Sequence, residues 1–244
     1  MHHRTMFALF LLCCTALAWA GEAEDIENIR QRLEQLVPEE PSSIRPSAMP
    51  GLYEVLFGAE VLYLSGDGRY GLQGDLMDLE AGKNLSEVAR TGARRQVLGE
   101  LDESEMIVFS PASPRHTVTV FTDVDCGYCR KMHAEMDQLN GYGIAVRYLM
   151  FPRDGIGSAS YKKSVSVWCA PDPKAAITLA KAGEEVAEAS CENPVQSQWL
   201  LGQQMGVTGT PALFTGEGVL IRGYRPAKNL AAMLDQMAEK SPAP

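Results

Sequence analysis

The sequence predicts an α+β chain: a small N-terminal β-rich unit, a linker helix, and a larger C-terminal domain in which strands alternate with helices and a helical subdomain is inserted. Three observations predict it. Short strand-like runs around a Ser-Gly-Asp-Gly turn fill residues 52–73, and a Leu/Ala/Glu/Arg-rich stretch at helical spacing follows over residues 84–103. The β-branched run Thr117 to Phe121 then leads straight into FTDVDCGYC, Phe121 to Cys129, which sets two cysteines three positions apart at the mouth of a helix.

Residues 1–20, MHHRTMFALFLLCCTALAWA, put Arg4 before an apolar run and end in Ala18-Trp19-Ala20, the pattern of a cleaved secretory signal peptide. The run is shorter than the ~20 residues that span a bilayer, so a retained anchor is the weaker alternative. Lipidation is weaker still, because Leu12 precedes Cys13 and Cys13 precedes Cys14 where a small residue is wanted. Ile26, Ile29, Leu33, Leu36 and Val37 predict a short amphipathic helix ended by Pro38, and the proline-rich stretch to Pro50 reads as a connector. Leu52 to Phe57, Val61 to Leu64 and Tyr70 to Gln73 are strands. This unit, residues 21–80, is small enough to need a second copy for stability, with an open sheet edge to offer. Residues 81–103 form the linker helix, with Gly92 and Gly99 as candidate hinges; an ordinary surface helix of the second domain is the alternative.

The second domain takes residues 104–244. Met106 to Phe109, Thr117 to Val124 and Ile144 to Phe151 are strands, and a strand, helix, strand order implies a crossover unit. Met132, Met136 and Leu139 recur at helical spacing and anchor the helix after the cysteines to a core. Residues 158–207 are mainly helical and form the insertion. Ala212 to Phe214 and Val219 to Arg222 flank Thr215-Gly216-Glu217-Gly218 as a hairpin, and Pro226 starts a last helix through Leu230, Met233, Leu234 and Met237.

Cys126 and Cys129 share one helix face, so their sulfurs can close or open a short ring. A helix starting near Cys126 offers its first N–H groups to that sulfur and favours the thiolate, the attacking species; Cys129, one turn deeper, attacks second. Cys126 is therefore the nucleophile and Cys129 the resolving thiol. A lone CxxC is also half a zinc site, but no second ligand pair stands at compatible spacing, since Cys169 and Cys191 are far apart and His116 and His133 merely flank the motif. Neither a metal nor another cofactor is expected. After removal of the leader four cysteines remain in an oxidising compartment, and Cys169 with Cys191 reads as a structural disulfide worth roughly 3 kcal/mol in the loop-closure picture.

The formal charge is −9; loss of residues 1–20 removes one Arg and no acid and leaves −10, a surface that excludes nucleic acid as a partner. Thr210-Pro211 stands at the entry to the hairpin. X-Pro bonds are mostly trans, so frequency alone predicts trans there, with a functional cis bond as the alternative.

A CxxC at a strand-to-helix turn with a distant T-P before a hairpin resembles the thioredoxin superfamily, and the fuller set of motifs is similar to the DsbC family of periplasmic disulfide isomerases. That set is DGRYGLQGDLMDL at Asp67 to Leu79, EMIVFSP at Glu105 to Pro111, HTVTVFTDVDCGYCRKMH at His116 to His133, VRYLMFPR at Val146 to Arg153, WCA at Trp168 to Ala170 and GVTGTPA at Gly206 to Ala212. The resemblance implies a thioredoxin-like C-terminal domain and an N-terminal dimerisation domain, so a homodimer whose two catalytic domains face a shared cleft. It implies an exposed Cys126, a cis Pro211 whose loop helps keep the thiols from metal, and backbone near Thr210 that pairs with a substrate strand. Gly127 and Tyr128 match the dipeptide that tunes the reduction potential, and Cys169 and Cys191 match the family disulfide. The implied activity is isomerisation of wrong disulfides in misfolded exported proteins in the periplasm, with a DsbD-like membrane reductant as partner. A DsbG-like holdase chaperone with thiol reductase activity and a DsbA-like oxidase are the alternatives, although the long segment before Cys126 argues against the oxidase.

Two positions depart from the family pattern. Arg130 follows the second cysteine where some relatives carry histidine, and a cation there would favour thiolate. The acid found well upstream of the motif in thioredoxin has no match, because Val120 holds that spacing; Asp123 and Asp125 are nearer, and read as a solvated turn or helix cap.

Overall fold

The computed structural model describes residues 21–240, so the leader read at residues 1–20 lies outside the described residues. The described residues divide into two compact units, the first ending at Arg90 and the second beginning at Thr91. Among the described residues no helix is long and apolar enough to cross a membrane.

In the first unit a helix over residues 21–34 (α1) precedes the antiparallel meander β1 (Ser43–Pro46), β2 (Leu52–Phe57), β3 (Glu60–Ser65) and β4 (Gly71–Gln73), in that spatial order. Two short strands, β5 (Met77–Asp78) and β6 (Lys83–Asn84), pair beside it. Strand alternation sorts the side chains: Tyr53, Val55 and Leu64 pack with Ile29 and Leu33 of α1, while Leu56, Val61 and Tyr63 pack with Ala89. Tyr53 donates to Asp25 Oδ2 at 2.7 Å, fixing α1 to the sheet. Gly68 turns β3 into β4 at φ +64°, a conformation open to glycine at little cost.

Two expectations change here. Leu36 and Val37 lie past the end of α1 and are exposed, so the apolar periodicity runs beyond the helix it predicts. The proline-rich connector contains β1, whose Pro46 ends an edge strand paired on one side alone, where a missing N–H is harmless.

Helix α2 (Leu85–Glu100) runs unbroken through Gly92 and Gly99, the candidate hinges. The Asn84 side chain accepts from the Glu87 N–H at 2.9 Å and caps its start.

In the second unit a 3₁₀ turn (Glu103–Glu105) leads to β7 (Ile107–Phe109), β8 (His116–Thr122), β9 (Ile144–Met150), β10 (Ala212–Thr215) and β11 (Leu220–Arg222), ordered β11-β10-β8-β9-β7. Only β8 and β9 are parallel, and α3 (Gly127–His133) and α4 (Met136–Gly141) make their crossover. These two helices break at Ala134–Glu135, yet Met132, Met136 and Leu139 all remain buried. Helices α5 (Ala159–Trp168), α6 (Pro173–Ala182) and α7 (Val195–Gln204) form the insertion, and α8 (Ala227–Lys240) closes the fold.

Both sheet faces are covered. Val118, Val120, Ile144, Val146 and Leu213 meet α3, α4, α6 and α8, while Phe121, Leu149 and Phe214 meet Phe151, Met205 and Val207. Cys169 and Cys191 are joined by a disulfide that ties the end of α5 to the irregular 184–194 segment.

Candidate active site

The site is built where β8 runs out. Past Thr122 the chain turns through Asp123, Val124 and Asp125, and Cys126 caps α3 in an extended conformation (φ −76°, ψ 121°). Its N–H donates to the Asp123 carbonyl at 3.2 Å, and its own carbonyl accepts from the Arg130 N–H at 2.9 Å. Asp123 holds the turn from inside. Its Oδ1 accepts from the Asp125 N–H at 2.8 Å, and its Oδ2 accepts from Arg153 N–H at 3.0 Å and Nε at 3.1 Å. Those donors replace water, so Asp123 is 1% exposed and not the solvated turn residue its type suggests.

Asp125 faces outward and pairs with Arg130 at 2.8 Å and Lys163 at 2.6 Å. Arg130 also donates to the Val124 carbonyl at 3.0 Å. Its guanidinium is thereby turned to the loop, and the cation felt at Cys126 is Arg153.

The two thiols are driven apart in acidity. A hydrogen bond from the Cys129 thiol is the largest cause that brings Cys126 down to about 5; burial opposes it, while Thr210, the Cys129 N–H and the Arg153 charge assist. Burial pushes Cys129 up, and holding its proton against the Cys126 sulfur pushes it further; the Lys181 charge, the Thr122 hydroxyl and the Asp123 N–H pull the other way. The result is one thiolate and one thiol at neutral pH.

Resemblance implies an exposed Cys126, but the residue is 3% exposed against 1% for Cys129. The Thr210 carbonyl lies 3.2 Å from its sulfur and covers it. The Thr210 hydroxyl has no other partner among the described residues and lowers the pKa of that sulfur by favouring its anion. The Thr210-Pro211 peptide is cis, against the plain frequency of X-Pro bonds and in line with what the resemblance implies. Gly127 leaves open space above the first turn, and Tyr128 is 65% exposed, stacked on Tyr224 with ring centroids 6.4 Å apart. The Tyr224 hydroxyl donates to Glu135, whose second oxygen accepts from the Ala227 N–H at 2.7 Å.

Behind the thiols lies a buried cation that sequence reading does not single out. Lys181 of α6 is 4% exposed, and its ammonium donates to Thr122 Oγ1 at 2.8 Å and lies 3.4 Å from the Asp123 carbonyl. Burial draws it down to about 8. The available signal is its spacing, since Lys181 stands four residues after Ile177 on the face that Ala180 also buries. His133, read as a flanking residue, is buried with its ring nitrogens 3.3 Å from the Tyr148 hydroxyl and 3.0 Å from Thr178 Oγ1. Burial first, and the Lys181 charge second, bring it down to about 4, so it is neutral at physiological pH. Tyr224 and Lys181 lie outside every quoted motif, and Arg153, which ends VRYLMFPR, meets the site only through the fold. Among the described residues no group of three or more His, Cys, Asp or Glu is gathered to hold a metal.

An acidic thiol beside a resistant one, on a sheet of this order, is the equipment of a thiol:disulfide oxidoreductase of thioredoxin fold. The thioredoxin-like domain family matches residues 103–238, and the N-terminal domain of the disulfide bond isomerase proteins matches residues 16–87. The chain is 37% identical over 230 residues to the thiol:disulfide interchange protein DsbC of Escherichia coli K12, covering 93% of this chain and 95% of that one. It is 38% identical to the DsbC of Dickeya dadantii, with 93% of each covered. Among solved structures, a disulfide interchange protein from Neisseria gonorrhoeae aligns with a TM-score of 0.50 and 28% identity, over 56% of this chain and 97% of that chain. The chain belongs to the DsbC family of thiol:disulfide interchange proteins.

Proposed function

We propose that this chain is a periplasmic disulfide isomerase and reductase in which Cys126 attacks wrong disulfides of exported proteins and Cys129 resolves the adduct. The observation that carries the assignment is the opposed acidity of the two thiols, with Cys126 down at about 5 and Cys129 pushed up. Thiolate Cys126 attacks one sulfur of the substrate disulfide, the substrate S–S bond breaks, and a mixed disulfide and a free substrate thiolate result. That substrate thiolate attacks another substrate disulfide, and the thiolate so released attacks the substrate sulfur of the adduct, forming a new substrate S–S bond as the bond to Cys126 breaks; the pairing is reshuffled with no net electron transfer and Cys126 leaves as the thiolate. If the adduct stalls, Cys129 attacks Cys126 Sγ, frees the substrate reduced and leaves a Cys126–Cys129 disulfide that a DsbD-like membrane reductant must open.

Gly127 and Tyr128 shape the approach to the sulfur, and the Thr210-Pro211 loop, with its carbonyl already 3.2 Å from Cys126 Sγ, supplies the backbone edge for a substrate strand. Cys169–Cys191 is the structural bond of the insertion. Residues 21–80 serve as the dimerisation domain, residues 81–103 as the linker and residues 104–244 as the catalytic domain; the match of residues 16–87 to the isomerase N-terminal domain supports this division. A homodimer sets two thiol pairs toward one client and raises their effective concentration near misplaced disulfides. Residues 1–20 act as the export signal.

The roles are tested by trapping. Cys129→Ser incubated with a disulfide-bonded peptide should accumulate a covalent adduct through Cys126, and Cys126→Ser should give none. An adduct of equal yield in Cys126→Ser would reverse the assignment.

A further inference from the structure

The low acidity of Cys129 leaves a chemical problem at the resolving step, because a buried thiol must lose its proton before it can attack. The thioredoxin-type upstream acid is absent, since Val120 fills that spacing and is itself buried. Three groups behind the site form a continuous polar thread instead. Thr122, fully buried, accepts from the Lys181 ammonium at 2.8 Å, and its hydroxyl is among the groups that favour the Cys129 anion. A hydroxyl can accept and donate at once, so it can pass a proton between the two.

We propose that Lys181 is the proton acceptor for Cys129, reached through the Thr122 hydroxyl, when Cys129 resolves the mixed disulfide; the inference rests on the roles given above to Cys126 and Cys129. The Cys129 S–H proton passes to Thr122 Oγ1 as the Thr122 hydroxyl proton passes to the neutral Lys181 amine. Thiolate Cys129 attacks Cys126 Sγ, the Cys126–substrate S–S bond breaks, and the Cys126–Cys129 bond forms. The substrate sulfur leaves as a thiolate and takes a proton from water. Two electrons have then moved from the enzyme thiols to the substrate disulfide. The ammonium left on Lys181 attracts the Cys129 anion while it exists, and returns its proton to solvent through a cleft of about 360 Å³ lined by Phe109, Arg130, His133, Thr178 and Lys181.

Other groups facing Lys181 do not compete. Asp123 has both carboxylate oxygens engaged by Arg153 and the Asp125 N–H, and Arg130 is paired with Asp125. His133 bonds to Tyr148 and Thr178, and Tyr148 offers Lys181 its ring face at 5.3 Å, with burial keeping its hydroxyl protonated. Lys181 makes no ion pair with a carboxylate among the described residues, which leaves its proton free to come and go. Burial brings it down to about 8, so a fraction of the order of a tenth is neutral at pH 7. Lys181 is a positioning residue in this scheme, since it acts on the sulfur through Thr122.

The test separates attack from release in single-turnover reduction of a disulfide peptide, followed by quenching and thiol alkylation across pH 6 to 10. In Lys181→Gln, release by Cys129 should slow about tenfold or more at pH 7 and its pH dependence should move upward, while adduct formation at Cys126 changes far less. Lys181→Met serves as the second variant: it removes the buried ammonium together with its hydrogen bonds to Thr122 and the Asp123 carbonyl, and, with folding checked by thermal unfolding, it should slow release to the same extent. Release with an unchanged rate and pH profile in either folded variant, or equal slowing of attack and release, would overturn the proposal. Loss of adduct formation in the parent protein would instead sink the underlying roles of the two thiols.

Discussion

The acidity of Cys126 is set by donors it meets only after folding. The Cys129 thiol comes first, then Thr210 and the Cys129 N–H, with Arg153 as the nearby cation. Because its pKa is depressed, the thiolate is present above about 5 and is lost as pH falls through that value. Thiolate absorbance of the reduced protein should therefore rise through pH 5, far below the ordinary thiol range near about 8.5, and Cys129→Ala should move the rise to higher pH. A midpoint that stays put in Cys129→Ala would remove the thiol hydrogen bond from the explanation. At this scale the reactive pair and the Thr210-Pro211 segment are legible in the sequence, because their identity and spacing are local. Arg130 is misread for the same reason: adjacency puts it beside Cys129 in sequence, but Asp125 and the Val124 carbonyl take its guanidinium, and the distant Arg153 supplies the charge. Lys181 is hidden because a lysine reads as solvated until the face it occupies on α6 is known.

Elements follow their sequence signals where burial and periodicity agree. The β8 run packs Val118 and Val120 on one face and Phe121 on the other, and the hairpin around Gly218 (φ +84°) falls where its turn residues put it. The signals fail at ends and edges. Leu36 and Val37 continue a helical pattern with no core to receive them, and β1 is disguised by its prolines. The break between α3 and α4 falls at Glu135, whose backbone leaves the helical region (φ −98°, ψ 14°) and whose carboxylate is held by Tyr224 and the Ala227 N–H. Packing of α7 onto the sheet depends on Gly202, where a Cβ would come within 2.4 Å of Phe151 and 3.1 Å of Phe121. Those rings are held by edge contact with each other at 6.0 Å and by Trp199 stacked on Phe151 at 6.2 Å, so they cannot yield freely. Gly202→Ala should cost about 1–3 kcal/mol in urea unfolding, despite the better helix propensity of alanine. An unchanged midpoint would mean that α7 shifts without penalty.

The whole molecule combines a meander unit with a thioredoxin-like unit, and each is legible by a different route. The second announces itself through chemistry, because the CxxC and the Thr-Pro segment demand a strand-to-helix turn and a loop to face it. The first is legible only as short strands around a turn; what it contributes to function rests on its match to the isomerase N-terminal domain. Whether the two act together as an isomerase is read most directly by recovery of activity from a scrambled multi-disulfide protein in a glutathione buffer, with subunit mass determined alongside. Recovery by a dimer, lost in Cys126→Ser, is the result expected here. Rapid oxidation of reduced substrate with no repair of the scrambled one, or repair that survives in Cys126→Ser, would contradict it.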